Sequence, residues 1–172
     1  ALVALHALGV ASVMLTGDNT ASARTIARQA GIDDARGNLL PEDKLAAIEE
    51  MQKRFGPTAM TGDGINDSPA LARADMGFAM GAAGTDTAME AADVVIMNDD
   101  LRRIPETIRL SRRTRSVLLQ NIYLALGVKA VFLALAIFGN ATMWMAVFAD
   151  MGASLLVVFN GLRLLRSAEA AD

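Results

Sequence analysis

Two apolar runs constrain this chain more than any other feature. Residues 117–138 and 142–162 are almost wholly apolar, and about 20 such residues suffice to cross the hydrocarbon core of a bilayer. Only Gly139-Asn140-Ala141 stands between them. A connection that short leaves room for an antiparallel hairpin and little else. Neither run has an amphipathic stripe, which argues against a buried hairpin in a soluble protein. Arginines flank the outer ends: Arg102, Arg103, Arg109, Arg112, Arg113 and Arg115 before the first run, Arg163 and Arg166 after the second. The turn carries no charge, so both outer ends are expected on the cytoplasmic side.

Two ionisable residues interrupt the runs. Lys129 lies ten residues before Gly139, and Asp150 nine residues beyond Ala141. At ~1.5 Å per residue these depths are ~15 and ~13 Å from the same side. Both residues therefore fall near the midplane, where charges are costly and face a pathway or a partner. A cation site with Asp150 as oxygen ligand and Lys129 as counter-charge is one reading. A structural ion pair is the other.

Residues 1–100 have a different pattern. Strand-like runs at 12–15, 58–60, 76–80 and 94–97 alternate with helix-like runs at 20–30, 41–55, 69–74 and 85–91. This alternation predicts a parallel, doubly wound α/β sheet, whose ligands bind at the carboxyl ends of the strands. Residues 99–116 predict a basic helix, with Asp99 or Asp100 as N-cap. A net charge of −3 gives no electrostatic footprint for nucleic acid. There is no cysteine and a single histidine, His6, so neither thiolate nor imidazole clusters arise within the chain. The first residues lack the basic segment and cleavage pattern of a secretory signal, and the chain reads as cut from a longer one.

Two Gly-Asp clusters follow strands directly: Thr16-Gly17-Asp18-Asn19 and Thr61-Gly62-Asp63-Gly64. The second continues as Ile65-Asn66-Asp67-Ser68-Pro69-Ala70-Leu71. Glycines admit close backbone approach to a ligand. The paired carboxylates Asp63 and Asp67 suit Mg²⁺, which takes one or two of them together with phosphate and water. Asn66 can donate to a phosphate oxygen, and Pro69 suits the first turn of a helix. Any Gly-Asp-Gly alone is a tight turn. Taken alone, Lys44 is a solvated lysine and Asp18 a helix N-cap. The loop Gly81-Ala82-Ala83-Gly84-Thr85-Asp86 reads as a strand-to-helix connection.

The string from Gly62 to Leu71 resembles the hinge motif of P-type ATPases, on the haloacid-dehalogenase-like fold. Thr16-Gly17-Asp18 resembles that family's second phosphate-site motif, and Pro41-Glu42-Asp43-Lys44 the motif carrying its lysine. The resemblance implies Asp63 as Mg²⁺ ligand with Asp67 supporting it. It implies Thr16 and Lys44 holding the transferring phosphoryl group, Asn66 contacting it or organising the loop, and Asp18 at the hinge towards a nucleotide-binding domain. Asn121-Ile122, Leu126-Gly127-Val128-Lys129 and Ala149-Asp150-Met151-Gly152-Ala153 resemble the last two helices of the zinc/cadmium/lead-exporting branch. Copper-exporting members carry a Tyr-Asn pair and a Met-x-x-Ser-Ser motif there, and this chain has neither. A carboxylate also suits Zn²⁺ better than Cu⁺. Zn²⁺, Cd²⁺ and Pb²⁺ are not separated by the sequence, and Co²⁺ is not excluded by it.

The implied organisation is half of a phosphorylation domain at 1–100, a basic juxtamembrane helix at 101–116, membrane helices at 117–138 and 142–162, and a cytoplasmic tail at 163–172. The expected function is part of an ATP-driven heavy-metal exporter working through an aspartyl-phosphate, with Mg²⁺ as cofactor and ATP as substrate of the intact parent. Expected partners are the lipid bilayer, the exported cation, and the remainder of the same ATPase: nucleotide-binding and actuator domains and other membrane helices. The expected location is a bacterial plasma membrane, spanned more than once. The family's Asp-Lys-Thr-Gly-Thr, Thr-Gly-Glu and Cys-Pro-Cys strings do not occur in the chain, so the chain alone is expected neither to turn over ATP nor to transport. The alternatives are a truncated, non-catalytic membrane protein that binds metal or associates with a full-length transporter, and a soluble haloacid-dehalogenase-like phosphatase.

Overall fold

The computed structural model describes residues 1–63, 65–81, 86–139 and 142–168, with backbone alone for 65, 143 and 165–168. The chain divides into two compact units, Ala1–Glu106 and Thr107–Asp172. Sequence-predicted features at Gly64, in most of the 81–86 loop, at Asn140 and Ala141 of the turn and in residues 169–172 lie outside the described residues, as does the Arg166 side chain.

The first unit is α/β. In chain order it runs α1 (Leu2–Ala7), β1 (Val13–Leu15), α2 (Thr20–Ala30), β2 (Asp34–Arg36), α3 (Pro41–Phe55), β3 (Ala59–Gly62), a 3-10 turn (Ile65–Asp67), α4 (Ser68–Arg73), β4 (Met76–Met80), α5 (Asp86–Ala91) and β5 (Val94–Ile96). Every strand pairing is parallel, as the alternation predicts. The described strands form two sheets, β1-β2 and β3-β4-β5. Met14 sits opposite Ala35, Thr61 opposite Phe78, and Ala79 opposite Val95. β4 is the central strand of its sheet, and Phe78 and Ala79 are fully buried there. Ile48 from α3, Met60 from β3, Ala70 and Leu71 from α4, Ala79 and Ala88 form the core, with Leu15 of β1 packed against it.

The local signals that end α2 and α3 are visible in their chemistry. Asn19 caps α2 by accepting from the Ser22 N–H at 2.8 Å, so the cap is Asn19 and not Asp18. Gly31, at φ 76°, closes it in the left-handed conformation that glycine adopts without a Cβ clash. Pro41 occupies the first turn of α3, where its missing N–H is no loss. The Asp43 carboxylate reaches back to the Leu40 N–H at 2.9 Å.

The second unit is built from two long helices, α6 (Arg103–Ile137) and α7 (Met143–Ala168). The basic stretch and the first apolar run are thus one uninterrupted helix. It starts after both Asp99 and Asp100, so neither is its N-cap. Asp99 takes φ 51° in the turn before it. Asp100 instead accepts from the Arg102 guanidinium and from the Arg102 N–H, both at 2.9 Å. These bonds push its carboxyl down to about 2. The Thr142 hydroxyl accepts from the Met145 N–H at 3.3 Å at the start of α7. Both helices are long and apolar enough to cross a membrane, and almost none of their apolar surface is buried within the chain. A soluble core helix would bury that surface; here Leu118, Ile122, Leu133, Phe148, Leu155 and Phe159 all stand exposed.

Candidate functional site

The candidate residues of the first site come from three segments of the α/β unit, of which the structure joins Lys44 and Asp67 by a side-chain contact. Thr16, Gly17 and Asp18 follow β1; Lys44 stands in the first turn of α3; Asp63, Asn66 and Asp67 follow β3. All three lie where the chain leaves a strand or enters a helix, the positions at which parallel sheets present ligand-binding groups.

Lys44 and Asp67 meet directly. Lys44 Nζ donates to Asp67 Oδ1 at 2.6 Å, with the two side chains 14% and 15% exposed. A charge-assisted bond largely withdrawn from water is stronger than its surface counterpart, and it positions both ends. The lysine read in isolation as a solvated residue is therefore anchored 23 positions away in sequence. Gly62 makes this approach possible: a Cβ there would stand 2.9 Å from Asp67 Cβ and 3.0 Å from its carboxylate. Asp67 thus leans over the end of β3 onto a bare backbone.

The Thr16 cluster is held by its neighbours. Thr16 Oγ1 accepts from the Asp18 N–H at 3.1 Å and lies 3.2 Å from Asp18 Oδ2, to which it donates. The backbone of Thr16 is clamped between the Arg36 carbonyl and the Leu39 N–H, at 3.0 and 3.1 Å. Asp63 and Asn66 are exposed, and neither has a side-chain hydrogen bond among the described residues.

Sequence reasoning missed the segment that supports this cluster. Asn38 takes φ 58° and donates its N–H to the Asp18 carbonyl at 2.6 Å. Its side-chain amide donates to Thr20 Oγ1 at 3.0 Å. Gly37 sits so close beneath that a Cβ would fall 2.6 Å from the Thr20 Cα. The Gly-Asn dipeptide was the available signal, since it marks a tight turn. Next to Asp67, Ser68 is 8% exposed and its hydroxyl has no hydrogen-bond partner.

The second site lies wholly within the helix pair. Lys129 and Asp150 line one open cavity of about 170 Å³, together with Val128, Phe132, Ala146, Ala149 and Ala153. The alanines of α7 allow the helices to approach closely. Lys129 and Asp150 share this space without forming a direct ion pair, so the expected pairing across the hairpin is replaced by a gap between the two charges. Near the opposite end of the pair, Asn160 of α7 donates to Asn121 Oδ1 at 2.8 Å and accepts from Arg163 at 3.2 Å. Such interhelical bonds contribute on average about 0.6 kcal/mol each in a membrane.

Comparison with known proteins agrees with this fold. Residues 1–75 match the family described as haloacid dehalogenase-like hydrolase. A probable cadmium-transporting ATPase of Listeria monocytogenes is 53% identical over 94% of the chain and 23% of its own length. A cadmium, zinc and cobalt-transporting ATPase of Bacillus subtilis (strain 168) is 48% identical over 96% of the chain and 24% of its own. The crystal structure of a zinc-transporting PIB-type ATPase in its E2.Pi state superposes with a TM-score of 0.88 at 46% identity, covering 94% of the chain and 26% of that structure. The chain therefore spans about a quarter of the length of the relatives it matches. With a haloacid-dehalogenase-like parallel sheet, a Lys44–Asp67 contact at the end of β3 and two apolar helices in one sequence, the chain belongs to the heavy-metal P-type ATPases, membrane proteins of which it represents one part.

Proposed function

We propose that this chain forms the phosphoryl-handling and membrane-helix part of an ATP-driven exporter of a zinc-, cadmium- or lead-like divalent cation. The observation that carries the reading is the Lys44–Asp67 contact at 2.6 Å, which fixes an ammonium group beside a carboxylate at the end of a parallel strand. A phosphoryl group in transfer spreads negative charge over its equatorial oxygens, and catalysis is mainly positioning and neutralisation of that charge. Lys44 supplies a fixed positive charge. Thr16 and Asn66 supply donors, Gly17 lets the backbone approach, and Asp18 orients Thr16 through the bond between them. The phosphoryl group is carried on an aspartate outside this chain.

The residues fit Mg²⁺. Asp63 is exposed and open, Asp67 is positioned by Lys44 and by the bare Gly62 backbone, and hard oxygen donors of this number are what Mg²⁺ accepts beside phosphate. Asp63 and Asp67 would hold it, and the bound ion supplies charge neutralisation to the phosphoryl oxygens.

In the membrane part, Asp150 offers a carboxylate oxygen to the exported cation, and Lys129 offsets its charge when no cation is present. The shared cavity with no direct pair supports this over a structural salt bridge, which would close the gap. Residues 1–100 act as half of a phosphorylation domain and 101–116 as a basic helical extension. Residues 117–138 and 142–162 cross the membrane, and the tail expected from residue 163 begins within α7, which continues to Ala168. The arginines at both outer ends support cytoplasmic placement of those ends in a bacterial plasma membrane. The partners are the nucleotide-binding and actuator domains and other membrane helices of the same protein.

The test is phosphoenzyme formation by the full-length protein, followed with labelled ATP. Asp63→Ala is expected to abolish the acid-stable phosphoenzyme while leaving the protein folded in detergent. Wild-type phosphoenzyme levels in Asp63→Ala would overturn the assignment.

A further inference from the structure

A second cavity in the helix pair lies away from Lys129 and Asp150. It measures about 170 Å³ and is lined by Arg113, Ser116, Val117 and Gln120 of α6 and by Arg163 of α7. The α6 residues are spaced at one helical face, so they turn a single surface towards α7. The two arginines belong to different helices, yet they open into one space. Arg163 spends one nitrogen on Asn160. Among the described residues Arg113 has no hydrogen-bond or ion-pair partner. Asn160 is fixed in turn by Asn121 at 2.8 Å and by Gln120 at 3.4 Å, which orients the Arg163 head. Among the described residues no Asp or Glu lines the cavity.

Two guanidinium groups, a hydroxyl and an amide with no carboxylate form a donor-rich receptor for an oxyanion. Arginine matches a phosphate with a planar fork of paired donors. The cavity stands where the arginine-rich part of α6 gives way to its apolar part, and where the apolar part of α7 gives way to Arg163. That level is occupied by lipid headgroups when the apolar runs cross a bilayer. We propose that this cavity binds the headgroup phosphodiester of one anionic phospholipid between Arg113 and Arg163. The bound lipid would splint the ends of α6 and α7, with Ser116 and Gln120 donating to the phosphate or glycerol oxygens. A free phosphate offers the same oxyanion but has no acyl chains to lie along the exposed apolar surface of the helices. A carboxylate from elsewhere in the transporter is the other candidate occupant, and it would make lipid retention independent of the two arginines.

The proposal is tested on the full-length transporter in mild detergent by native mass spectrometry, titrating phosphatidylglycerol against phosphatidylcholine. A single phosphatidylglycerol adduct is expected above the phosphatidylcholine background, persisting in excess inorganic phosphate. A hydrogen bond to a charged group is worth about 1.5–3 kcal/mol, so Arg113→Gln or Arg163→Gln should lower retention about tenfold or more. Arg115→Gln removes the same charge outside the cavity lining and should leave the adduct in place. Arg163→Lys keeps the charge and the helix but loses the fork, and should give an intermediate loss. Equal retention in wild type and both cavity variants would overturn the proposal. So would an equal loss in Arg115→Gln, which would indicate general attraction, or displacement of the lipid by inorganic phosphate.

Discussion

The two units treat their charges in opposite ways. In the α/β unit, several charged side chains are tied to partners: Lys44 to Asp67 at 2.6 Å, Arg36 to Glu50 at 2.7 Å and Arg73 to Glu49 at 2.9 Å. In the helix pair, Lys129, Asp150 and Arg113 have no ion-pair partner among the described residues, although all three line cavities. Exposed pairs are worth little to stability, with a typical range of about 0–1 kcal/mol, so most of the pairs in the α/β unit fix geometry more than they hold the fold. The Lys44–Asp67 pair is the exception in burial, and it is also the one at the site. Charges left open on apolar helices are costly unless something completes them. The contrast separates a unit whose charges are paired in fixed geometry from one whose charges stand open beside cavities.

The largest effect is expected from breaking the Lys44–Asp67 pair, the most buried ion pair among the described residues. Lys44→Ala in the full-length protein removes the fixed positive charge and leaves the Asp67 carboxylate without its partner. Turnover of ATP should fall by about 10²–10³, the scale for loss of one preorganised electrostatic group. Steady-state ATPase assays check it, and near-normal turnover would erase the distinction between Lys44 and the surface pairs.

How much of this was legible in the sequence differs between the same two units. The bounds of α2 and α3 follow from Asn19, Gly31, Pro41 and Gly56, residues whose local chemistry starts or stops a helix by itself. The apolar runs were legible because a bilayer-spanning helix needs length and little else. β2 was not, because Asp34-Ala35-Arg36 has no apolar alternation and becomes a strand only by pairing with β1. α1, six residues long, is too short to display a helical period. Lys44 and Asp67 were singled out by motif resemblance, and the structure adds that they touch; Gly37-Asn38 shows a turn in the sequence but not its partners Asp18 and Thr20, which are distant along the chain. The uninterrupted course of α6 through residue 116 was hidden by the change from basic to apolar composition, which alters the surroundings of a helix and not its backbone.

A smaller effect tests that hidden support. Gly37→Ala places a Cβ 2.6 Å from the Thr20 Cα, and overpacking of this kind typically costs about 1–3 kcal/mol. The α/β part should melt earlier in the full-length protein, by differential scanning calorimetry, while the melting of the membrane part stays unchanged. An unchanged transition for the α/β part would mean that the Gly37 turn yields easily and does not brace Thr16.

The smallest effect concerns the exposed pair that ties α1 down. The Ser12 N–H, donating at 2.7 Å, holds the Asp33 carboxyl below its usual range, with further help from the Ser12 hydroxyl and His6. A lowered folded-state value means that the carboxylate's contribution is complete above the ordinary aspartate value. It fades as pH falls through that value and on through the lower folded one. Hydrogen exchange of the α1 amides, corrected for intrinsic rates, should be faster in Asp33→Asn than in wild type at neutral pH. The difference should shrink as the solution is acidified below the ordinary carboxylate range. A difference that grows in acid would reverse the assigned sign.

The most direct measurement of the central claim is ATP-driven zinc uptake into sealed vesicles by the full-length protein, with wild type and Asp150→Ala compared at equal folded amounts. Asp150 is the carboxylate left open in the apolar unit, facing Lys129 across a cavity. The expected result is uptake by the wild type and loss of uptake in Asp150→Ala. Undiminished zinc uptake in Asp150→Ala would contradict the assignment of the transported cation to that carboxylate.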